Sequence, residues 1–86
     1  MLEILKEAIL HYGATAQERM CIEECAELIQ AINKKHRGKA HNIQEEIADV
    51  EITLEQLKII NCCAYDVERI KEEKIKRLAE RIGYER

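Results

Sequence analysis

The stretch CIEECAELIQ, Cys21 to Gln30, gathers three glutamates, Glu23, Glu24 and Glu27, into little more than one helical turn. Acid pairs three or four residues apart on a helix repel one another by roughly a few tenths of a kcal/mol, so a helix that keeps them has either a use for them or a wet face to put them on. The neighbours make it a helix. Ile22, Cys25, Ala26, Ile29 and Ile32 recur at helical spacing and define an apolar core face. Glu24 and Glu27 share the far side with Gln17, Met20 and Ala31, where they either line a pocket or stand in water.

The same crowding returns downstream as EEIAD, Glu45 to Asp49. Glu24 and Glu27 are three apart and share a face, as do Glu46 and Asp49. On the second of these helices Ile43, Ile47, Val50, Leu54 and Leu57 form a main apolar stripe. Ala48, Ile52 and Ile59 form a second, and Gln44, Glu51, Glu55 and Lys58 make up the solvated arc. Glu46 and Asp49 fall outside that arc, in a strip with Thr53, Gln56 and Ile60 that both apolar stripes flank, and they are expected to point inward. If the two acidic helices pack antiparallel, as a short turn favours, the pairs meet. Carboxylates so placed repel unless protonated or bridged by a cation, and hard oxygen donors suit Mg²⁺, with Mn²⁺ the next choice.

Working outward, the punctuation divides residues 1–86 into four helices in one small domain, with no linker or repeat. Leu2, Leu5, Ile9 and Tyr12 form a stripe that stops at Gly13. Thr15 and Glu18 have capping-box spacing and start a second helix, which Gly38 breaks within the turn from Lys34 to His41. Asn42 and Glu45 repeat the start signal for a third helix, Ile43 to about Asn61. A fourth begins after Asp66, read as its N-cap, and fades at Gly83. The absence of proline, the three glycines and the 36% of charged residues fit this all-α reading. A chain of 86 residues buries only about 60% of its unfolded surface, so a helical bundle completed by copies of itself is expected.

Composition also excludes partners. A net charge of −3 gives no overall footprint for nucleic acid, and no apolar run approaches the roughly 20 residues of a membrane span. Four cysteines with no secretory signal ahead of them, two adjacent as Cys62 and Cys63, point to a reducing, cytoplasmic setting rather than a disulfide scaffold. Cys21 and Cys25 share a helical face, but close pairs of zinc ligands are missing on both sides of such a pattern.

In the fourth helix Val67, Ile70, Ile75, Leu78 and Ile82 define an apolar arc, and Lys71 and Lys74 fall inside it. Either their stems cover apolar surface while the ammonium groups reach water, or they bind phosphate. Arg77 and Arg81, at the edge of the arc, either extend a basic rim or form helical salt bridges. The KKHRGKAH turn, Lys34 to His41, either meets phosphates or complements the end of its helix.

Glu23-Glu24-Cys25-Ala26-Glu27 followed by Glu46-Ile47-Ala48-Asp49 resembles the EExxE...ExxD signature of MazG-like all-α nucleoside-triphosphate pyrophosphohydrolases, over roughly residues 17–77. The resemblance implies Mg²⁺-dependent cleavage of a nucleoside triphosphate between its α- and β-phosphates, giving monophosphate and pyrophosphate. It implies Glu24, Glu27, Glu46 and Asp49 as metal ligands and Glu23 as the residue that activates or orients the attacking water. Lys71 or Lys74 is then expected to steady the departing pyrophosphate, with Arg77 extending that basic rim toward substrate, and Gln17 and Met20 are expected against base or sugar. The chain is short for such an enzyme and offers only Tyr12, Tyr65 and Tyr84 for stacking on a base. The alternatives are a phosphoribosyl-ATP pyrophosphohydrolase type of enzyme and a non-catalytic helical oligomerisation module. Because no single hairpin neighbour covers both apolar stripes of the third helix, a homodimer or homotetramer is expected.

Overall fold

The computed structural model describes residues 2–84; Met1, Glu85 and Arg86 of the expected 1–86 domain lie outside them. The described residues form four helices and no strand: α1 (Leu2–Tyr12), α2 (Ala14–His36), α3 (Ile43–Ile60) and α4 (Ala64–Arg81). The all-α expectation holds, and so do the breaks at Gly13, Gly38 and Gly83. None of the described helices is long and apolar enough to cross a membrane.

Two helix starts differ from the expected ones. Gly13 takes φ 93° and ψ 150°, a conformation open to glycine and hardly to other residues. Its N–H donates to the Ile9 carbonyl at 2.8 Å, and its carbonyl accepts from the Gln17 N–H at 3.2 Å. One residue thus ends α1 and begins α2, which leaves Thr15 inside the first turn, and the capping box with Glu18 does not form. At the other junction the Cys63 N–H donates to the Lys58 carbonyl at 3.1 Å, closing α3 with Cys62 at φ 50°. The Cys63 carbonyl then accepts from the Val67 N–H at 2.9 Å. α4 therefore starts at Ala64, and Asp66 lies in its first turn rather than at its N-cap. There its charge faces the positive end of the helix dipole.

The main packing is the antiparallel pair α2 and α3; α1 lies against both, and α4 meets α3 alone. The seam of this hairpin is polar. On α3 the buried residues are Glu46, Val50, Thr53 and Gln56, and on α2 they are Gln17, Cys21 and Ala31. The apolar face expected to form the core of α2 looks outward in the single chain, with Ile22 69% and Ile29 60% exposed. Cys21 and Ala31, both small, are buried on the acid-bearing side of α2, so that side faces α3 and the apolar stripes are left as flanks. The outcome is an open molecule, with a radius of gyration of 16.0 Å where a compact chain of this length would have about 12 Å. A groove of about 860 Å³ opens between α1, α3 and α4, with Ile4, Leu5, Leu54, Leu57 and Val67 on its walls.

Gly13 gives a direct test of the α1–α2 junction. A Cβ built there meets no atom within 4 Å, so only backbone strain opposes Gly13→Ala. The substitution is expected to cost about 1–3 kcal/mol. Urea unfolding at fixed protein concentration should show a lower midpoint with an unchanged slope.

Candidate metal centre

Antiparallel packing decides which acids meet. α2 runs from Gln17 through Glu24 to Glu27 while α3 runs back from Glu46 through Asp49 to Gln56, so acids gather toward the connecting turn and carboxamides toward the other end. Glu24, Glu46 and Asp49 each bring a carboxylate oxygen within 4.8 Å of the others. Glu27 is exposed and stands outside this trio, yet its charge acts on both Glu24 and Glu46. The face that was ambiguous by sequence, that of Glu24, thus lines a pocket.

The cluster is held from one side and unsatisfied on the other. Asn42, just ahead of α3, does not cap the helix through its side chain; its Nδ2 donates to Glu46 Oε1 at 3.1 Å and to Glu45 Oε2 at 3.5 Å. This fixes one oxygen of Glu46 and turns the other inward. Oε2 of Glu46 and Oε2 of Glu24 are both buried without a hydrogen-bond partner among the described residues. Burial, followed by the charges of Glu27 and Asp49, pushes the Glu24 carboxyl from its ordinary 4.5 up to about 7. Burial and the same two neighbours also raise Glu46, against the pull of Asn42, whose bond favours the anion. Buried carboxylates with orphaned oxygens and raised pKa values are short of positive charge, and a divalent ion with hard-ligand preferences fits that donor set.

A smaller groove of about 260 Å³ runs from Glu24 and Asp49 along the seam to Gln17 and Gln56. Met20, Ile52 and Thr53 complete its walls. Of the residues singled out by sequence, the fold therefore gathers Glu24, Glu46 and Asp49, with Glu27 beside them, and sets Gln17 and Met20 along the adjoining groove. It does not gather the cations of α4. Lys71 lines the opposite, apolar groove and pairs with Glu68 at 3.2 Å, and Lys74 and Arg77 are exposed and line neither groove. Glu23 is exposed and makes no hydrogen bond or ion pair among the described residues. Cys21 and Cys25 belong to no cluster of three metal-ligating side chains among those residues. Asn42 as the residue orienting Glu46, and Thr53 and Gln56 as groove walls, are roles that sequence reading did not assign; the inward strip containing Thr53 and Gln56 was their only signal.

The raised carboxyl of Glu24 sets a pH dependence. Between 4.5 and about 7 the unfolded chain ionises this group freely while the folded chain keeps its proton, so metal-free stability falls as pH rises through that window. Urea midpoints in chelator should decline from pH 5 to pH 7 more steeply for the native chain than for Glu24→Gln, and Mg²⁺ should raise the midpoint more at pH 8 than at pH 5. Equal slopes for the two proteins would show that Glu24 holds no such proton. No known protein family, curated protein or solved structure matches the chain.

Proposed function

We propose that the chain is a MazG-like, Mg²⁺-dependent nucleotide pyrophosphohydrolase that cleaves a nucleoside triphosphate between the α- and β-phosphates. The observation that carries this reading is the Glu24, Glu46 and Asp49 trio, with two buried oxygens lacking partners, at the head of a groove sized for a nucleoside. Glu24, Glu46 and Asp49 would hold the ion, with Glu27 closing the exposed side. When bound, the ion would neutralise phosphate charge and lower the pKa of the attacking water. Asn42 keeps Glu46 aimed at the site. The role of Glu23 as acceptor of the water's proton rests on the resemblance alone.

The placement of α4 redirects one expectation. The connecting turn between Glu27 and Glu46 carries Lys34, Lys35, Arg37 and Lys39, and none of these four makes an ion pair among the described residues. Lys34 lies on the same face of α2 as Glu27, two turns on, a rise of about 10 Å that a lysine stem and a phosphate chain together span. The turn is thus the better-placed counter-charge for a departing pyrophosphate. Lys71, Lys74 and Arg77 would reach a site only through a neighbouring copy.

Such a copy belongs to the proposal. The open shape and the exposed apolar stripes support a homodimer or homotetramer in which the α1–α3–α4 groove is covered. They equally favour the second reading, a helical oligomerisation module without activity, but a module has no need of buried acids. Sedimentation equilibrium at micromolar concentration should give a dimer or larger, and Leu54→Lys, on the wall of the apolar groove, should shift it toward monomer. A native monomer would refute the assembly.

Catalysis is tested by pyrophosphate release from a panel of nucleoside triphosphates with Mg²⁺. Loss of a residue that orients a metal ligand weakens metal binding or activity about 10–100-fold, which is the expected effect of Asn42→Ala. Glu46→Gln and Asp49→Asn, which remove ligands themselves, should cost more than that while leaving helicity unchanged by circular dichroism. Release unaffected by all three would remove these residues from the site.

A further inference from the structure

The far end of the small groove holds two polar side chains that the acid cluster does not explain. Gln17 and Gln56 are 8% and 4% exposed, both line the groove, and neither side chain makes a hydrogen bond among the described residues. A carboxamide carries two donors and an acceptor; no amide atom of either glutamine is among the fully buried, unpartnered ones of the described residues, so both present their polar ends to the water of the groove. Two such ends, one on each wall, are free to exchange that water for a ligand. Thr53 stands between them and the acids. Its hydroxyl already donates to the Val50 carbonyl at 2.9 Å, so it faces a ligand only as an acceptor.

We propose that Gln17 and Gln56 form a two-carboxamide clamp that takes a nucleobase by its hydrogen-bonding edge, so that the site requires a base but tolerates more than one. This deepens the pyrophosphohydrolase reading and rests on it for the direction of the triphosphate, which runs from the groove toward the acids. The walls settle how the base is held. Met20 and Ile52 offer apolar surface, with the polarizable thioether suited to the face or edge of a flat ring, and no lining residue of the groove is aromatic. Recognition therefore falls to the amides. A carboxamide turned through half a revolution about its last bond exchanges donor for acceptor, so it pairs with a neighbouring donor and acceptor in either order. Glutamine meets the adenine edge with two bonds in this way, and uracil and cytosine present such pairs in opposite senses. The clamp is thus blind to that order and sensitive to the presence of the edge. A volume of about 260 Å³ suits a base with its sugar, leaving the phosphates to the acid end.

The test separates this clamp from the hydrolase reading by using ligands without phosphate. In the ¹⁵N-labelled full chain without metal, the side-chain NH₂ resonances of Gln17 and Gln56 should shift on titration with uridine and with cytidine, and should stay in place with ribose 5-phosphate. Gln17→Leu and Gln56→Leu should each abolish the response of the remaining amide. In the assay, each should lower the ratio of kcat/KM for dUTP over inorganic triphosphate by about tenfold or more, because a site built on hydrogen bonds strongly rejects a ligand lacking them. Amide shifts without pyrophosphate release from any nucleotide would keep the clamp and sink the hydrolase. Release with ratios unchanged in both variants would do the reverse. Amide signals indifferent to every nucleoside at millimolar concentration would overturn the clamp, and this measurement needs no variant to fold.

Discussion

Mutual repulsion among Glu24, Glu46 and Asp49 governs the rest of the molecule. Three carboxylates have oxygens within 4.8 Å of one another in the seam between α2 and α3, and two of them have an oxygen with no hydrogen-bond partner among the described residues. Burial amplifies the cost, because a desolvated anion loses hydration that a helix partner cannot replace. The metal-free hairpin answers by retaining protons, as the elevated carboxyl of Glu24 records. A divalent ion in the proposed site would do the same work without protons, and the Asn42 hydrogen bond already opposes protonation of Glu46.

Placing polar groups in the seam reverses the usual economy of a small helical protein. Among the described residues, those buried are the polar Gln17, Glu46, Thr53 and Gln56 and the apolar Cys21, Ala31 and Val50, all on α2 or α3. Hydrophobic burial is the dominant favourable term in folding, and here most of that potential remains on the outside, in Ile22 and Ile29 on α2, Ile47 and Leu54 on α3, and Ile75 and Leu78 on α4. The single chain places polar groups in its seam and leaves its apolar faces exposed. In the proposed assembly the core lies between subunits.

This division explains what could be read in advance. The helices and their ends at Gly13, Gly38 and Gly83 were legible because glycine and apolar periodicity are local signals. The inward turn of Glu46, Asp49, Thr53 and Gln56 was legible because two apolar stripes flank that strip and leave the solvated arc elsewhere. The orientation of α2 was not. Its amphipathicity points Ile22 and Ile29 toward a core, and only the pairing with α3 shows that the acid-bearing side is the one covered within the chain. The α4 start was hidden in a backbone device, the left-handed turn at Cys62 that lets the Cys63 carbonyl open the helix, while Asp66 offered the louder sequence signal. Lys71, Lys74 and Arg77 illustrate a further limit: a helical wheel gives the face of a residue but not the neighbour that face will meet.

Ile52 ties these strands together. Among the described residues it alone lines both grooves, the apolar one beneath α1 and α4 and the polar one that leads to the acids. A side chain with one flank on each groove cannot be covered on one without being fixed on the other, since packed interiors leave little room for a branched chain to choose its rotamer. In the proposed enzyme, a second copy seated over the apolar groove would therefore also set the wall against which a base lies, and the nucleoside end of the site would be shaped only in the assembled state. The acids need no such help, because Asn42, Glu24 and Asp49 are positioned by the hairpin itself. Under this proposal metal binding and base recognition would separate along one seam, the first resting on the α2–α3 pair and the second on that pair once its apolar flank is covered.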